Sequence, residues 1–584
     1  MKKGIEKILA SKFWWIGLII FLFAVNFLAS VLHARFDLTK EKRYSLSKAT
    51  SSLLSRLDDR VEIDVFLKGE FPAGFRKLAN STRDFLELLK EKNRSKIHFR
   101  FVSPLDEVPG TQILYGDSLA RMGAISINLT VQRKAGQSSN IIFPVAVLRY
   151  KGRELLVNLY PVAKRDMSQT DINSAESLME YQFASAFDKL MAARKPVIAY
   201  ATGNGEPADG RVQDMAETIK KDYTFLLFDL ARQPIIPQKE FDLLLIVKPS
   251  LAFTEDEKLK LDQYVMQGGK LLCFIDNLYA EQDSLSFKPE TIAFDRNLNL
   301  TDLFFRYGLR INTDLIMDLQ CDLIPFVVGG TPDHPQLQLM PWNYFPLLSV
   351  EKNQVNNDLG YIAGRFVNSI DTIQTEGVRK TPLLVSSSHA RIIGTPALIS
   401  LNENKIAPED EKFQRNKILA AVLLEGKFTS IFRNRVSQSQ RDSLASHGLN
   451  FTDQSVETKM IVAADGDIVF NEYVPDPENP EGPPQMLQMG WNKYTFTEKM
   501  NQSELGKLFN PVANRQFLIN SIEYLVSNSA ISQIRNKEIV LRLLDKPKVE
   551  KNRSLWQFIN IALPVLLVII FGVIYQQVRK LKHS

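Results

Sequence analysis

The chain has 584 residues, of which 45% are hydrophobic and 24% charged, with 28 glycines and 27 prolines. This length and composition predict about two to four packed domains, and they exclude a small disulfide-bonded module, global disorder and a fibrous repeat. The 72 basic and 66 acidic residues leave a formal charge of only +6, and no long basic run marks a nucleic-acid groove. Nucleic acid is therefore not expected as a partner.

Two apolar segments predict membrane helices. Residues 13–32 carry no charged side chain, and their length suffices to cross a hydrocarbon core of about 30 Å. The lysine-rich flank at 2–12 resembles that of a signal peptide, but the apolar run is long and the cleavage spacing poor, so we expect an uncleaved anchor. Residues 558–575 repeat the pattern, and Pro564 inside them is tolerable in a membrane helix. A buried helix of a soluble protein is the alternative for the second segment.

These segments divide the chain into a tethered middle and two short tails. Lysines and arginines beside the segments slightly favour a cytoplasmic middle, but long domains translocate largely regardless of charge, so the count does not fix the topology. The predicted division is a tail (1–12), an anchor (13–32), a first α/β domain (33–192), a second α/β domain with insertions (193–545), a linker (546–557), a second membrane helix (558–575) and a basic tail (576–584).

The first domain begins with a β-α-β pattern. Apolar residues alternate over 61–67, recur at helical spacing over 75–89 and alternate again over 97–101. Such a unit predicts two parallel strands joined by a right-handed crossover. A hairpin and a closing helix are expected next, over residues 141–148, 154–159 and 175–192.

A second α/β series begins at Pro196. The apolar run 197–201 predicts a strand buried on both faces. Thr254 and Glu257 have the spacing of a capping box at the start of a helix, which Gly268 ends. Further strands and a helix are expected over residues 210–221, 223–230, 241–247 and 271–275.

This alternation predicts a doubly wound, parallel sheet. Beyond Asp283 the pattern loosens, a proline-rich stretch follows Pro475, and a helix is expected over 514–526. We interpret this part as insertions in the second domain; a separate third domain is the alternative.

In open α/β sheets, ligands bind beyond the carboxyl ends of the strands. The turn Gly203, Asn204, Gly205 and Glu206 occupies that position, so these four residues are ligand-binding candidates. The spacing from Gly205 to residues 210–212 approaches a phosphate-binding loop, but its lysine and hydroxyl are missing, which argues against nucleotide hydrolysis. A tight turn that needs glycine for its geometry is the plainer interpretation.

Asp276 and Asn277 follow the strand 271–275 and are expected at the same sheet edge. Together with Glu206, Asp276 could form an acid–base pair of a hydrolase or transferase. Carboxylates at strand ends more often face solvent or cap the next helix.

The sequence shows no recognisable set of catalytic, metal-binding or cofactor-binding residues. The six histidines are scattered, Cys273 lies in an apolar strand, and neither it nor Cys321 has a second thiol at metal or redox spacing. Asp465 and Asp467 could suggest calcium, but the further oxygen ligands of a loop site do not follow, so a turn is expected there. We therefore expect neither catalytic residues nor a cofactor.

Several stretches resemble the gliding-motility-associated ABC transporter auxiliary proteins called GldG. They include the turn 203–206, and an apolar helix near the C-terminus accompanies them, as in that family. The other stretches are 35–47 (RFDLTKEKRYSLS), 172–186 (INSAESLMEYQFASA), 423–428 (LLEGKF), 462–467 (VAADGD) and 514–520 (NRQFLIN). Family members often carry glycine before the position of Asn514, where this chain has Ala513.

The resemblance implies a two-pass inner-membrane subunit that accompanies a separate permease and ATPase, with its large middle region in the periplasm. It also implies a second domain similar to glutamine-amidotransferase-like folds without their catalytic cysteine. The leading hypothesis is therefore a non-enzymatic accessory subunit whose middle region binds the permease, a ligand or envelope components. The alternatives are a membrane-tethered hydrolase or transferase and a sugar- or peptide-binding module, which would need a well-formed pocket at the sheet edge.

Overall fold

The structure is a computed structural model that divides into two compact units, Met1–Lys537 and Glu538–Ser584. The expected anchor at 13–32 lies almost wholly outside the described residues. The structure describes residues 45–527 except 70, 125, 134–135, 161–168, 332–333, 354, 357–358, 402–409, 476–481 and 495–512, together with 553–583 and positions 19, 22, 23, 26, 27 and 534.

The first α/β region contains the predicted pair of parallel strands with a helix between them in sequence. Its elements are α1 (Lys48–Ser55), β1 (Val61–Val65), α2 (Ala73–Lys92), β2 (Ile97–Phe101), α3 (Tyr115–Arg121), β3 (Ile127–Arg133), β4 (Gly136–Ile142), β5 (Val145–Tyr150), β6 (Arg153–Asn158) and α4 (Gln169–Met191). The main sheet has the order β2-β1-β5-β6, in which β1 and β2 are parallel.

The predicted hairpin is present, but its first strand is shorter than expected. Residues 141–142 belong to β4, which pairs with β3, and only β5 pairs with β6 in the main sheet. Lys151 and Gly152 link β5 to β6 with φ angles of 49° and 75°, as a tight two-residue turn requires.

Helices cover both faces of this sheet. The periodic apolar residues of α2, among them Phe75 and Leu86, are buried with Phe183 and Phe187 of α4 in one core. On the other face Phe66 packs with Tyr115 of α3. Burial of these side chains provides the main favourable free energy for this region.

The second region contains most of the remaining structure. Its first elements are β7 (Val197–Thr202), α5 (Gln213–Asp222), β8 (Thr224–Asp229), β9 (Leu243–Val247), α6 (Glu255–Met266), β10 (Leu271–Phe274), β11 (Leu278–Tyr279), α7 (Gln282–Phe287), β12 (Glu290–Asp295) and α8 (Thr301–Tyr307). These elements confirm the predicted alternation of strand and helix.

Strands dominate the following part. They are β13 (Leu309–Ile311), β14 (Asp314–Asp318), β15 (Cys321–Thr331), β16 (His334–Val350), β17 (Ile362–Ala363), β18 (Ile370–Thr372), β19 (Val378–Val385), β20 (Ala390–Gly394), β21 (Ala397–Ser400), β22 (Leu419–Gly426), β23 (Thr458–Ala463), β24 (Tyr473–Val474) and β25 (Gln485–Met486). The described residues of this part also form two helices, α9 (Gln438–Ser446) and α10 (Ala513–Val526), and α10 confirms the helix expected at 514–526.

The large sheet is mixed, which corrects the expectation of a purely parallel sheet. Its order is β15-β16-β19-β22-β23-β10-β9-β7-β8, with β17 beside β16. The five strands from β23 to β8 are parallel, whereas β22, β19, β16 and β15 run antiparallel. The antiparallel strands come from the part beyond Asp283, where the sequence pattern loosens.

Two hydrophobic cores lie on opposite faces of the parallel strands. Alternate residues, such as Cys273 and Leu272 of β10, belong to different cores. Helices α6, α8 and α9 contribute to one core, and α5 and α10 contribute to the other. This arrangement explains the continuous apolar runs of β7, β9 and β10, since a strand buried on both faces has no solvent side.

Helix α6 begins as the sequence predicts. The Thr254 hydroxyl accepts a hydrogen bond from the Glu257 backbone N–H, and the Glu257 carboxylate accepts one from the Thr254 N–H, which completes the capping box. After the helix, Gly268 adopts φ 90°, the left-handed conformation that lets the chain leave the last turn.

A polar contact joins the two α/β regions. The Tyr181 hydroxyl of α4 donates to Glu523 Oε2 of α10 at 2.5 Å, and Lys189 Nζ lies 2.8 Å from Glu523 Oε1. Lys189 also pairs with Asp222 of α5 at 2.7 Å. Lys189 therefore links α4 of the first region to both α10 and α5 of the second.

The described residues of the second unit form α11 (Arg553–Gln557), a π-helical turn (Phe558–Ala562) and α12 (Leu563–His583). The span Leu555–Gln577 has a mean hydropathy of 2.6 and is long and apolar enough to cross a membrane. Pro564 cannot donate the backbone hydrogen bond to Asn560, and the π-helical turn at this point is a usual adjustment to such a loss.

Candidate functional site

The predicted turn lies beyond the carboxyl end of β7 and is tightly packed. Gly203 and Gly205 have φ angles of 117° and 78°, which favour glycine. A Cβ atom at Gly205 would lie 2.1 Å from the Ser250 hydroxyl oxygen. The backbone carbonyl of Asn204 accepts hydrogen bonds from the N–H groups of Ser250 and Leu251, both at 2.9 Å. The turn is therefore closed by the loop after β9, which favours the structural interpretation of its glycines.

Glu206 is the unusual group of this turn. Its side chain is buried, and Oε2 accepts a hydrogen bond from the Asn204 N–H at 2.8 Å. Oε1 has no hydrogen-bond partner among the described residues. Burial, with a smaller contribution from the nearby carboxylates of Glu257 and Asp229, raises the pKa of Glu206 to about 7 against the effect of the backbone hydrogen bonds.

Asp276 belongs to a different charged cluster, which is centred on Lys248. Lys248 follows β9, is 4% exposed, and its Nζ lies 2.6 Å from Asp467, 3.0 Å from Asp276 and 3.1 Å from Glu281. Burial would lower the pKa of Lys248, but the three carboxylates outweigh this effect and raise it. Burial raises the pKa of Asp276 to about 6, even though Lys248 opposes this shift.

The cluster continues through Asp465, which is fully buried after β23. Its carboxylate accepts hydrogen bonds from the Arg365 N–H and the Asp467 N–H, both at 2.8 Å. Burial and the neighbouring carboxylates raise its pKa well above the ordinary value. A Cβ atom at Gly466 would lie 2.6 Å from Lys248 Cβ, so the lysine stem fills the space over this glycine. The expected turn at 465–467 is thus present, and it is packed against the sheet edge.

Glu206 and Asp276 do not share hydrogen-bond partners. Strand β9 lies between β7 and β10 in the sheet, which separates the two strand ends by roughly 10 Å. The charged groups that shift the pKa of Glu206 are Glu257 and Asp229, and Asp276 is not one of them. The arrangement therefore does not favour the acid–base pair that the sequence suggested.

Asn277 is the predicted residue that borders open space. Its side-chain amide donates to the Ile311 carbonyl at 3.2 Å, and its backbone N–H donates to Asn368 Oδ1 at 2.8 Å. A cleft of about 850 Å³ lies against Asn277, the loop that follows β12, helix α8 and the loop that follows β22. This volume is within the range of small-molecule sites.

Sequence reasoning missed Lys248 and the cleft arginines. Lys248 could have been found, because it ends the wholly apolar run 243–247, and a cation there must be buried with a partner. The cleft arginines come from separate loops, and no local spacing identifies them.

Among the described residues, no group of three or more histidine, cysteine, aspartate or glutamate side chains is arranged to hold a metal ion. The carboxylates of the Lys248 cluster are instead engaged with lysine, arginine and backbone N–H groups. Both cysteines are buried, and burial raises their thiol pKa values, to about 12 for Cys273.

These features define a membrane-associated, mixed α/β protein with a buried charged network and a polar cleft at the edge of its large sheet. Residues 195–520 match the family described as an ABC-type uncharacterized transport system. The match spans more than half of the chain, and the chain belongs to this family. The family gives the chain a transporter-associated accessory role, and together with the apolar helix it indicates membrane association.

Other comparisons extend beyond this match. Residues 40–149 match a domain of unknown function. An uncharacterized protein of Borreliella burgdorferi is 23% identical over 451 residues, which cover 74% of this chain and 81% of that protein.

Two solved structures are similar at a low level. The mmIFT52 N-terminal domain has a TM-score of 0.28 and 11% identity over 57% of this chain and 98% of that chain. The exo-beta-1,4-mannosidase Op5Man5 from Opitutaceae bacterium strain TAV5 has a TM-score of 0.16 and 10% identity. The match covers 74% of this chain and 51% of that chain. Neither likeness carries an argument about this chain.

Proposed function

We propose that the chain is a non-catalytic, membrane-anchored auxiliary subunit of an ABC transporter. Family membership is the observation that carries the proposal, and the apolar span 555–577 supplies an anchor. The Lys248 cluster supports a non-catalytic role, because its carboxylates are buried and occupied by partners. The large middle region would then bind the permease, a ligand or envelope components.

The finer assignment to gliding motility rests on the resemblance to GldG. Two of the resembling stretches have structural roles. Residues 462–467 supply Asp465 and Asp467 to the Lys248 cluster, and Asn514 at the start of α10 accepts a hydrogen bond from the Ala363 N–H at 2.9 Å. Gliding is proposed as the process, and deletion of the gene in a gliding host should abolish movement while leaving growth intact.

Association with a transporter can be tested by purification. The full chain carrying an affinity tag would be extracted from membranes of its native host in mild detergent, and co-purifying proteins would be identified by mass spectrometry. We expect a permease and an ATPase in amounts comparable to the tagged chain. The control is an unrelated tagged two-pass protein at the same expression level. Recovery of the folded chain without either subunit, or equal recovery with the control, would reject the proposal.

We further propose that the middle region lies in the periplasm, between the anchor at 13–32 and the span at 558–575. Labelling with a membrane-impermeant maleimide tests this proposal, and the background is low because Cys273 and Cys321 are buried. Ser95 is exposed after α2, so Ser95→Cys should be labelled in cells whose outer membrane alone is permeable. Ser584→Cys should be labelled only after the inner membrane is opened. The reverse pattern would place the middle region in the cytoplasm.

The cleft also favours one of the alternatives, a ligand-binding role. A ligand-binding module requires a pocket at the carboxyl edge of the sheet, and Asn277 at this edge lines the cleft. This role is compatible with an accessory subunit, since such a subunit can bind a ligand while it contacts a permease.

A further inference from the structure

Three arginines surround the cleft beside Asn277. Arg306 lies in α8, and Arg433 and Arg435 lie in the loop between β22 and α9. All three are exposed. Within the part of the chain that the structure describes, none of their guanidinium groups has a hydrogen bond or an ion pair. Elsewhere on the surface, arginines such as Arg310 pair with a carboxylate.

Among the described residues, the two aspartates of the cleft form no ion pair with these arginines. Asp302 is bound by Lys258, whose Nζ lies 3.0 Å from Asp302 Oδ2 and 2.6 Å from Glu255 Oε1. The Asp295 carboxylate accepts a hydrogen bond from the Asn297 N–H at 2.7 Å. The cleft therefore presents unpaired positive charge together with polar groups.

Arg433 and Arg435 lie in a loop whose first residues are hydrogen-bonded to Asp262, a fully buried residue of α6. The Asp262 carboxylate accepts hydrogen bonds from the Ser430 hydroxyl at 2.6 Å, the Ile431 N–H at 3.1 Å and the Tyr307 hydroxyl at 3.0 Å. These bonds connect the base of the loop to α6 and to the end of α8. A site held in this way loses little conformational entropy when a ligand binds.

We propose that this cleft binds a small polyanion, a molecule with at least two carboxylate or phosphate groups. The guanidinium group presents a planar set of donors that matches carboxylate and phosphate oxygens. Three such groups around one cleft of about 850 Å³ suit a small molecule with several anionic groups. An uncharged sugar would leave the arginines unmatched. This inference goes beyond the proposed function and does not require association with a permease.

The proposal is tested by isothermal titration calorimetry on the full chain, purified in a non-ionic detergent. Pyrophosphate and citrate are the probes, because they separate phosphate from carboxylate recognition, and trehalose is the uncharged comparison. We expect saturable binding of at least one polyanion at a single site and no binding of trehalose. The double variant Arg433→Gln/Arg435→Gln should weaken that binding about tenfold or more, since each charge-assisted hydrogen bond is strong.

Arg94→Gln is the matched control, because Arg94 is also exposed but lies after α2, away from the cleft. It should bind the polyanion as the unmodified chain does. The single variant Arg306→Gln gives an independent test on a different element, and thermal melts establish that each variant is folded. Failure of both polyanions to bind, equal weakening by Arg94→Gln, or undiminished binding by both cleft variants would overturn the proposal. These outcomes leave the transporter association intact, since that depends on co-purification.

Discussion

Glu206→Gln should stabilise the protein at neutral and alkaline pH. Oε2 of the buried Glu206 carboxylate accepts a hydrogen bond from the Asn204 N–H, whereas Oε1 has no partner among the described residues. Its pKa rises from an ordinary value of 4.5 to about 7 on folding. This rise corresponds to about 3 kcal/mol of lost stability once the group is ionised in both states.

The sign follows from the order of the two pKa values. Below pH 4.5 the group is protonated in both the folded and the unfolded chain, and the glutamate carries no penalty. Between pH 4.5 and about 7 the folded state binds the extra proton, so stability falls as the pH rises, and above pH 7 the full penalty is present. Glutamine cannot ionise, so the stability difference between the variant and the wild type should grow across this window.

Thermal unfolding of the full chain in detergent, followed by fluorescence from pH 5 to pH 8, measures this difference. About 0.8 kcal/mol of the penalty is already present at pH 5, so the gain of the variant should grow by about 2.5 kcal/mol between pH 5 and pH 8. Its apparent Tm relative to the wild type should therefore be about 5 °C higher at pH 8 than at pH 5. Any change in hydrogen bonding by the glutamine amide alters the free energy of unfolding equally at both pH values. It therefore cancels when the two pH values are compared. Glu217→Gln is the control, because Glu217 is exposed on α5. A gain for Glu206→Gln that is absent at pH 8, or equal at both pH values, would show that ionisation of Glu206 does not destabilise the folded chain.

Three further changes test the packing around the site. Lys248→Met leaves the carboxylates of its cluster without their cation and should cost about 3–5 kcal/mol, seen as a lower Tm. Thr254→Ala removes the capping box of α6 and should cost about 1 kcal/mol in the same assay. Glu523→Gln weakens the contact with Tyr181 and Lys189, so limited proteolysis between α4 and β7 should become faster at unchanged Tm of the large sheet.

Local signals in the sequence predicted the elements that depend on neighbouring residues. The alternation and helical spacing over 61–101 identified the β-α-β unit, and the pair Thr254 and Glu257 identified the start of α6. Glycines in the turn 203–206 indicated a tight turn, and the packing against Ser250 explains why they are needed. Each of these features is determined within about 40 residues of sequence.

Features that depend on residues far apart in the sequence were not predicted. Lys248 and Asp467 are 219 positions apart, and only the sheet order β23-β10-β9 brings them together. The antiparallel half of the large sheet comes from a part of the chain without a clear period. The cleft likewise combines Arg306 with Arg433, which follow different strands. A single sequence does not show which distant residues come together, because no local spacing relates them.

The mass of the native complex purified through this chain shows whether the chain is a stable subunit of a transporter. The chain alone has a mass of 66.4 kDa. We expect native mass spectrometry to detect a particle in which this chain is accompanied by a permease and an ATP-binding subunit in a fixed ratio. A particle that contains only this chain, at 66.4 kDa or a multiple of it, would show that the chain is not a stable transporter subunit.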